Sequence, residues 1–187
     1  MVTIAGSGMG EYSFKNVDVN FLDYELIFCD KNYKTDLPNV VKGGFKEIKE
    51  QILQNLDKEI LYVVSGSPTF FSGGLLIVNL LKKQNIPFKI IDNTSSLSYM
   101  LSYAGVSFMK CGVFSLHGKK DVDLEALLTK EYTFVVCDEN TPKVLFEAMS
   151  FLDEDDVTFT LGERFGYEDE SFKKVTLKQM LKNPPAM

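Results

Sequence analysis

Short apolar runs alternate with amphipathic segments along the 187-residue chain. Val2–Ala5 and Ile60–Val64 are mostly apolar and end at glycine or serine, which predicts buried strands followed by tight turns. Phe45–Leu56 instead places its apolar residues on one helical face. The same criteria predict further strands at Tyr24–Cys29, Phe88–Ile91, Gly112–Leu116, Thr133–Cys137 and Val157–Leu161, and further helices at Gly74–Lys83, Ser95–Ala104, Asp123–Leu128, Thr141–Met149 and Thr176–Leu181. This alternation predicts an α/β fold with mostly parallel, wound sheets.

The strand–helix pattern restarts after Gly105, which predicts two lobes. We expect an N-terminal α/β lobe at residues 1–108 and a C-terminal α/β lobe at residues 109–187. The last predicted helix is followed by Pro184-Pro185, where we expect one more edge strand in a lobe of this kind. The sequence therefore predicts a C-terminal lobe that lacks its last strand.

Composition and charge narrow the class of protein. A formal net charge of −6 argues against a nucleic-acid-binding protein, which normally carries a basic surface. No apolar run approaches the ~20 residues of a membrane-spanning helix. The N-terminus also lacks the basic flank and the apolar stretch of a signal peptide. We therefore expect a cytoplasmic protein that binds neither nucleic acid nor a membrane.

Three residue types are rare enough to be informative. Cys29, Cys111 and Cys137 lie far apart in apolar runs and lack the paired spacing of a metal site. We expect them to be buried free thiols, and we expect no metal. The only histidine, His117, and the only arginine, Arg164, each follow a predicted strand, so both lie in loops that are candidates for ligand binding.

Ligands of wound α/β sheets bind beyond the carboxyl ends of the strands, so the loops that leave those ends are candidate sites. Gly6–Gly10 (GSGMG) allows the backbone to approach a ligand, but it does not continue into the G-x-G-x-x-G pattern of dinucleotide-binding proteins. Ser65–Gly74 (SGSPTFFSGG) has amides that could hold a carboxylate and aromatics that could pack on adenine or a sulfonium. Each feature also has an alternative interpretation without a ligand. The first loop is then an ordinary turn, Phe70 and Phe71 are core residues, and Ser95 caps a helix.

Several segments occur in the order and approximate spacing seen in the tetrapyrrole methylases: the glycine turn, SGSPTFFSGG, the TSS helix start, SLHGKK, CDENTP and LGERFGY. The chain resembles this family over about residues 1–180. SLHG, the NTP loop and GE-x-x-GY are most similar to the enzymes that methylate C5 of cobalt-precorrin-7 in cobalamin biosynthesis. Four residues in three loops differ from the family pattern. Ser67 stands where Asp is usual, Asp92-Asn93 where Pro-Gly is usual, and Met9 where Gly-Pro-Gly has its proline.

The resemblance implies a two-lobed enzyme that binds S-adenosylmethionine in the cleft between its lobes and methylates C5 of a precorrin, with or without cobalt. It assigns to the cofactor Met9, Gly66, Ser67, Phe70, Ser95, Ser96, Cys137 or its neighbours, Leu161 and Gly162. It also implies a homodimer, and a separate enzyme for C15 methylation and decarboxylation. No residue is indicated as a general base, so the catalytic residues are unassigned.

A precorrin substrate would carry many carboxylates, so local cations are candidate anchors. His117 and Lys119 follow one predicted strand and Arg164 follows another. Arginine suits bidentate binding of a carboxylate. The alternatives are a solvated basic turn for the lysine and a surface ion pair with Glu163 or Glu168 for Arg164.

Two other functions compete with this interpretation. Asn93-Thr94-Ser95 slightly resembles a loop of diphthine synthase, an enzyme of the same fold that methylates a histidine on a translation factor; SLHGKK argues against that function. A binding or regulatory relative without catalysis is the second alternative, and Ser67 in place of Asp supports it.

Overall fold

The computed structural model describes residues 1–10, 14, 17–31, 35, 39–153 and 157–185. The chain divides into an N-terminal unit, Met1–Ser98, and a C-terminal unit, Tyr99–Met187. The division falls inside the helix Ser96–Ala104, somewhat before the predicted lobe boundary at residue 108. Each unit is described separately below.

A five-stranded parallel sheet forms the centre of the N-terminal unit. Its strands are β1 Val2–Gly6, β2 Leu26–Asp30, β3 Val40–Gly43, β4 Ile60–Val64 and β5 Phe88–Ile91. They lie side by side in the order β3-β2-β4-β1-β5. The helices α1 Phe45–Gln54, α2 Gly73–Lys83 and α3 Ser96–Ala104 follow β3, β4 and β5. The carboxyl ends of β4, β1 and β5 therefore lie next to one another at one edge of the sheet.

Strand β4 shows why its sequence is apolar at every position. Ile60, Tyr62 and Val64 belong to the core cluster that packs against α1 and α2. Leu61 and Val63 belong to a second cluster, because successive side chains of a strand point to opposite faces. Each fully buried side chain of this kind contributes about 1.5–3 kcal/mol to stability. A strand covered on both faces must be apolar throughout, as parallel central strands usually are.

The C-terminal unit contains two small sheets. Strands β6 Cys111–Ser115 and β7 Tyr132–Val136 pair in parallel, and strands β8 Thr158–Glu163 and β9 Ser171–Thr176 pair antiparallel. Its helices are α4 Leu124–Leu127, α5 Thr141–Ala148 and α6 Leu177–Lys182. Short 3-10 helices lie at Phe21–Asp23 in the N-terminal unit and at Phe108–Lys110 in the C-terminal unit. The buried apolar cluster of this unit consists of Leu116, Leu127, Leu145, Met149 and Leu177.

The predicted α/β class is confirmed, and every predicted strand and helix is present with its ends shifted by up to two residues. Strands β3 and β9 were not predicted. Strand β3 has four residues at the edge of its sheet, so little of it is buried. Strand β9 carries Lys173 and Lys174 in its exposed middle, so it lacks the apolar run by which the other strands were identified.

The cysteines are free thiols, as predicted, but they differ in exposure. Cys29 and Cys111 are buried, as expected. Cys137 is partly exposed, so the prediction that all three are buried is wrong at this position. The reason is its place just after β7, at the end of the strand. In the parts of the chain that the structure describes, no helix has the length and apolarity needed to cross a membrane.

Candidate functional site

The loops that follow β1 and β4 are joined by backbone hydrogen bonds. The amide of Gly8 donates to the carbonyl of Gly66 at 3.1 Å, and the amide of Gly66 donates to the carbonyl of Gly8 at 3.1 Å. The amide of Ser7 donates to the carbonyl of Val64 at 2.8 Å. These bonds fix the two loops side by side. Because the amide of Gly66 already donates to Gly8, it does not donate to a ligand in this arrangement, and Gly66 affects the site through the path of its backbone.

The two loops lie too close together for a side chain at Gly6, and the backbone conformation at Gly66 disfavours one there. A Cβ on Gly6 would collide with the carbonyl oxygen of Gly66 and would lie 2.7 Å from Cδ of Pro68. Gly66 has a φ of +68°, which favours glycine, and its Cβ would lie 2.9 Å from Cε of Met9 and 4.0 Å from Cα of Ser95. The structure thus brings Met9, Gly66 and Ser95 together.

The loop after β5 contacts both neighbouring loops through two polar side chains. Asn93 donates from Nδ2 to the carbonyl of Gly6 at 3.1 Å. Asp92 accepts from the hydroxyl of Ser67 at 2.6 Å. Asp92 and Asn93 therefore connect this loop to the ends of both β1 and β4. Neither contact was predicted from the sequence, because each joins residues far apart along the chain.

The serines before α3 make the cap that one interpretation of the sequence anticipated. The amide of Ser98 donates to Oγ of Ser95 at 3.1 Å, and the amide of Ser95 donates to Oγ of Ser98 at 3.1 Å. Such reciprocal bonds satisfy amides at the start of a helix that lack a helical partner. Ser96 is the first residue of α3. Capping accounts for Ser95, which also lies beside Gly66.

The aromatic pair in the loop after β4 does not form part of the core clusters. The rings of Phe70 and Phe71 meet edge to face with their centroids 4.9 Å apart. Phe71 is 57% exposed, so its predicted alternative as a core residue is wrong. Its φ of +43° turns the chain here, which directs the ring away from the packed interior. Phe70 is only partly buried.

In the C-terminal unit, a buried carboxylate holds the loop that carries His117. Asp138 is 5% exposed and accepts from the amide of Gly118 at 2.7 Å. It also accepts from the amides of Asn140 at 2.9 Å and Thr141 at 3.0 Å. These bonds, that from Gly118 foremost, hold the pKa of Asp138 below its usual value although burial acts in the opposite direction.

The predicted basic turn is largely solvated. His117 is about half exposed, and its Nδ1 lies 3.8 Å from Oδ2 of Asp138. Lys119 is exposed, and its amide donates to the carbonyl of Leu116 at 2.9 Å. Exposure agrees with the alternative of a solvated turn, and it also leaves both side chains accessible to an anion. The loop backbone, by contrast, is fixed by Asp138.

Arg164 forms a surface ion pair, but with a partner that the sequence did not indicate. Its Nε donates to Oδ1 of Asp169 at 3.0 Å, and its guanidinium lies 4.4 Å from the ring centroid of Tyr167. The predicted partners Glu163 and Glu168 were wrong. The φ of +58° at Arg164 turns the chain after β8, and this turn brings the side chain to the residues that follow.

The remaining predicted cofactor residues lie on different strands of the C-terminal unit. Leu161 and Gly162 lie within β8, which continues two residues beyond its predicted end. A Cβ on Gly162 would crowd the ring of Phe165 and would lie 3.1 Å from Sδ of Met100, so packing against these side chains favours glycine here. Cys137 directly follows β7. Burial raises the pKa of its thiol to about 11, so the thiol is protonated at neutral pH.

The sequence of the chain matches the model of one protein family over most of its length. The family of Tetrapyrrole (Corrin/Porphyrin) Methylases matches residues 22–181. The chain belongs to the tetrapyrrole methylase family. Members of this family use S-adenosylmethionine as their cofactor. None of the curated protein sequences matches the chain significantly.

Solved structures of tetrapyrrole methylases share the fold at low sequence identity. Precorrin-6Y methylase from Archaeoglobus fulgidus is 17% identical with a TM-score of 0.68, and the match covers 100% of this chain and 92% of that one. Uroporphyrin-III C-methyltransferase from Thermus thermophilus, complexed with S-adenosylhomocysteine, is 16% identical with a TM-score of 0.74 and the same coverages, 100% and 92%. A diphthine synthase is 13% identical with a TM-score of 0.70 and coverages of 97% and 84%.

Among the described residues, no group of three or more His, Cys, Asp and Glu side chains is arranged to hold a metal ion.

Three polar residues that fix loops of the candidate site were not predicted from the sequence: Asp92, Asn93 and Asp138. Asp138 had a usable signal, because an Asp two or three residues before the start of a helix often accepts from its first amides. Asp92 and Asn93 gave no such signal.

Asparagine at position 138 should destabilise the C-terminal unit. The amide retains one acceptor oxygen but offers its NH₂ group to a backbone donor, so Asp138→Asn should lower the free energy of unfolding at pH 7 by about 1–3 kcal/mol. Because folding lowers the pKa of Asp138, its contribution is present above the unfolded pKa of about 4 and is lost as the pH falls below it. The wild-type protein should therefore lose more stability than the variant between pH 7 and pH 3.

Urea unfolding at both pH values measures this difference. Asp123→Asn is the matched control, because Asp123 caps α4 by accepting from the amide of Ala126 at 3.1 Å and asparagine caps a helix equally well. Equal stability of Asp138→Asn and Asp123→Asn at pH 7 would show that the carboxylate at position 138 does not hold the loop.

Proposed function

We propose that the chain is an S-adenosylmethionine-dependent methyltransferase that methylates C5 of a precorrin, with or without cobalt, in cobalamin biosynthesis. The observation that supports this most is the glycine-lined edge formed by Gly6 and Gly66 at the carboxyl ends of the parallel strands, where such sheets bind ligands; Gly6 admits no side chain there and Gly66 has a positive φ. The choice of C5 rests on SLHG, the NTP loop and GE-x-x-GY, which resemble the C5-methylating enzymes.

The residues at this edge fit S-adenosylmethionine chemically. Serine hydroxyls at the start of α3 suit the polar parts of the cofactor, and Phe70 offers a partly exposed ring for its adenine. The cofactor supplies an activated methyl group when bound, so the main task of the protein is to orient the two reactants. The proposed cofactor residues are Met9, Gly66, Ser67, Phe70, Ser95 and Ser96 of the N-terminal unit, and Cys137, Leu161 and Gly162 of the C-terminal unit.

The cationic side chains of the C-terminal unit are proposed to bind substrate carboxylates. His117 and Lys119 are exposed beside one another on a fixed backbone. Arg164 uses Nε, one of its five donors, for Asp169. A substrate carboxylate must therefore compete with Asp169 or bind another edge of the guanidinium, so Arg164 contributes less than an unpaired arginine would.

No general base is assigned. The Cys137 thiol has a pKa of about 11 and is protonated at neutral pH, so it is a poor proton acceptor. Asp138 is ionised, but its carboxylate already accepts bonds from Gly118, Asn140 and Thr141. Catalysis by orientation is consistent with a site in which the strong acids and bases are engaged elsewhere.

A homodimer is proposed for the working state. Tyr103, Phe108 and Met109 are large apolar side chains that are 57%, 61% and 81% exposed, close together along the chain. Exposed apolar patches of this kind commonly mark protein–protein contacts.

The protein is further proposed to act in the cytoplasm, with a separate enzyme performing C15 methylation and decarboxylation.

Alanine at position 66 should weaken binding of S-adenosylhomocysteine. The φ of +68° at Gly66 is unfavourable for alanine and costs about 1–2 kcal/mol. The added methyl group would also point at Met9 and at the loop after β5. We expect Gly66→Ala to lower affinity about tenfold in calorimetry, which corresponds to roughly 1.4 kcal/mol. Gly105→Ala is the matched control, because Gly105 has a similar φ of +63° with nothing within 4 Å of its Cβ. Equal affinity of both variants would place the ligand elsewhere.

Methyl transfer itself tests the proposed reaction. The purified protein is incubated with S-adenosylmethionine carrying a ¹³C-labelled methyl group and with C5-unmethylated precorrin, in separate metallated and metal-free samples. We expect the label on C5 of one or both products, located by NMR, and much less product with Gly66→Ala. Labelling of a translation-factor histidine alone would support the diphthine synthase alternative. Tight S-adenosylhomocysteine binding without transfer to any precorrin would support the non-catalytic alternative.

A further inference from the structure

We infer that Asp92 is a positioning residue of the cofactor loops, which acts through the hydroxyl of Ser67 to hold the loop after β4 against the loop after β5. The inference rests on the proposed binding of S-adenosylmethionine at this edge. It assigns to Asp92 a role that neither its exposure nor its place in the sequence indicates, since an exposed Asp in a loop is usually only solvated.

The hydroxyl of Ser67 has every hydrogen-bonding position filled. Its Oγ lies 2.6 Å from Oδ1 of Asp92, 3.0 Å from Oγ1 of Thr69 and 3.2 Å from the amide of Thr69. A serine hydroxyl has one donor and two acceptor positions. Because the carboxylate can only accept, the hydroxyl of Ser67 donates to Asp92. The hydroxyl and the amide of Thr69 then both donate to Oγ of Ser67. The direction of every bond in this group is therefore determined.

The group is placed where it can control the shape of the candidate site. Ser67 is 5% exposed and follows Gly66 directly in the loop after β4. Strands β4 and β5 lie on either side of β1, so their axes are about 9–10 Å apart. The bond between Ser67 and Asp92 therefore connects the loops of two strands that are not neighbours in the sheet.

Asn93 extends the same connection to the middle strand. Its Nδ2 donates to the carbonyl of Gly6, and its Oδ1 accepts from the amide of Thr94 at 2.8 Å. Asp92 and Asn93 are adjacent, so one short segment holds the ends of β1 and β4 at once. Loss of the Asp92 carboxylate would remove the bond between the loops after β4 and β5 while leaving the contact of Asn93 with Gly6 in place.

A carboxylate is better suited to this task than a neutral acceptor. Hydrogen bonds from a hydroxyl to an ionised carboxylate are short, 2.5–2.7 Å in general, and roughly twice as strong as neutral ones. Asn at position 92 would keep an acceptor oxygen without the charge, so it should retain part of the effect. Ala at position 92 should retain none of it.

A double-mutant cycle on S-adenosylhomocysteine binding tests the inference. Asp92→Ala should lower affinity about tenfold in calorimetry, because it removes the charge-assisted bond. Ser67→Ala should lower it at least as much, because it removes the same bond and also the two contacts with Thr69. The double variant should be no weaker than Ser67→Ala, since the bond to Asp92 can be lost only once. Asp92→Asn should lie between wild type and Asp92→Ala. Asp57→Ala is the charge-matched control, because Asp57 is exposed just before β4, at the opposite edge of the sheet.

A second pair of variants separates positioning from general disruption. Ser67→Asp combined with Asp92→Ser moves the carboxylate to the other end of the bond, and we expect it to restore affinity to within about threefold of wild type. Ser67→Asp alone places two carboxylates together and should weaken binding. Thermal unfolding without ligand shows whether each variant is folded.

Three outcomes would overturn the inference. Additive losses in the double variant would make Ser67 and Asp92 independent contributors. A loss with Asp92→Ala but not with Ser67→Ala would make Asp92 a direct ligand contact. Failure of the exchanged pair to recover affinity, although the protein is folded, would show that the carboxylate does not position the loop. Absence of S-adenosylhomocysteine binding to the wild-type protein is distinct from all three, because it would overturn the proposed function together with the inference.

Discussion

The parallel register of β1 and β4, in which Gly6 lies beside Val64, is the constraint on which the candidate site depends. This register places the following loops so that Gly8 and Gly66 exchange backbone hydrogen bonds. It also sorts the side chains of β4 between two core clusters. A shift by one residue would turn every side chain of the strand to the wrong face. Core packing therefore maintains the geometry of the glycine edge, and both follow from the same pairing.

Two carboxylates hold loops of the candidate site, one in each unit, and they do so by different means. Asp138 is buried and accepts three backbone amides, which keeps its pKa low and makes the loop of His117 a fixed part of the fold. Asp92 is exposed and accepts from a single buried hydroxyl, that of Ser67. The first arrangement is rigid. The second is a single side-chain bond between the loops after β4 and β5, and the contact of Asn93 with Gly6 lies beside it.

Local sequence patterns predicted the elements of this fold well because each apolar run marks a buried strand or helix face. They failed where a contact depends on distant residues. Ser67 and Asp92, each of which departs from the family pattern, are in contact although 25 residues separate them. The sequence also could not indicate Asp169 as the partner of Arg164, because the turn at Arg164 has a positive φ that no side-chain pattern marks. Strand β9 was missed because its lysines leave no apolar run.

Amide hydrogen exchange with and without S-adenosylhomocysteine tests most directly whether the loops after β1, β4 and β5 form the cofactor site. Binding should slow exchange at residues 65–70 and 92–96, because a ligand at the glycine edge excludes water and stabilises the contacts between these loops. Exchange in α1, which follows β3 and packs on the core through Ile48 and Ile52, should be unchanged. Slower exchange elsewhere in the chain, with no change at residues 65–70 and 92–96, would contradict the assignment of these loops to the cofactor.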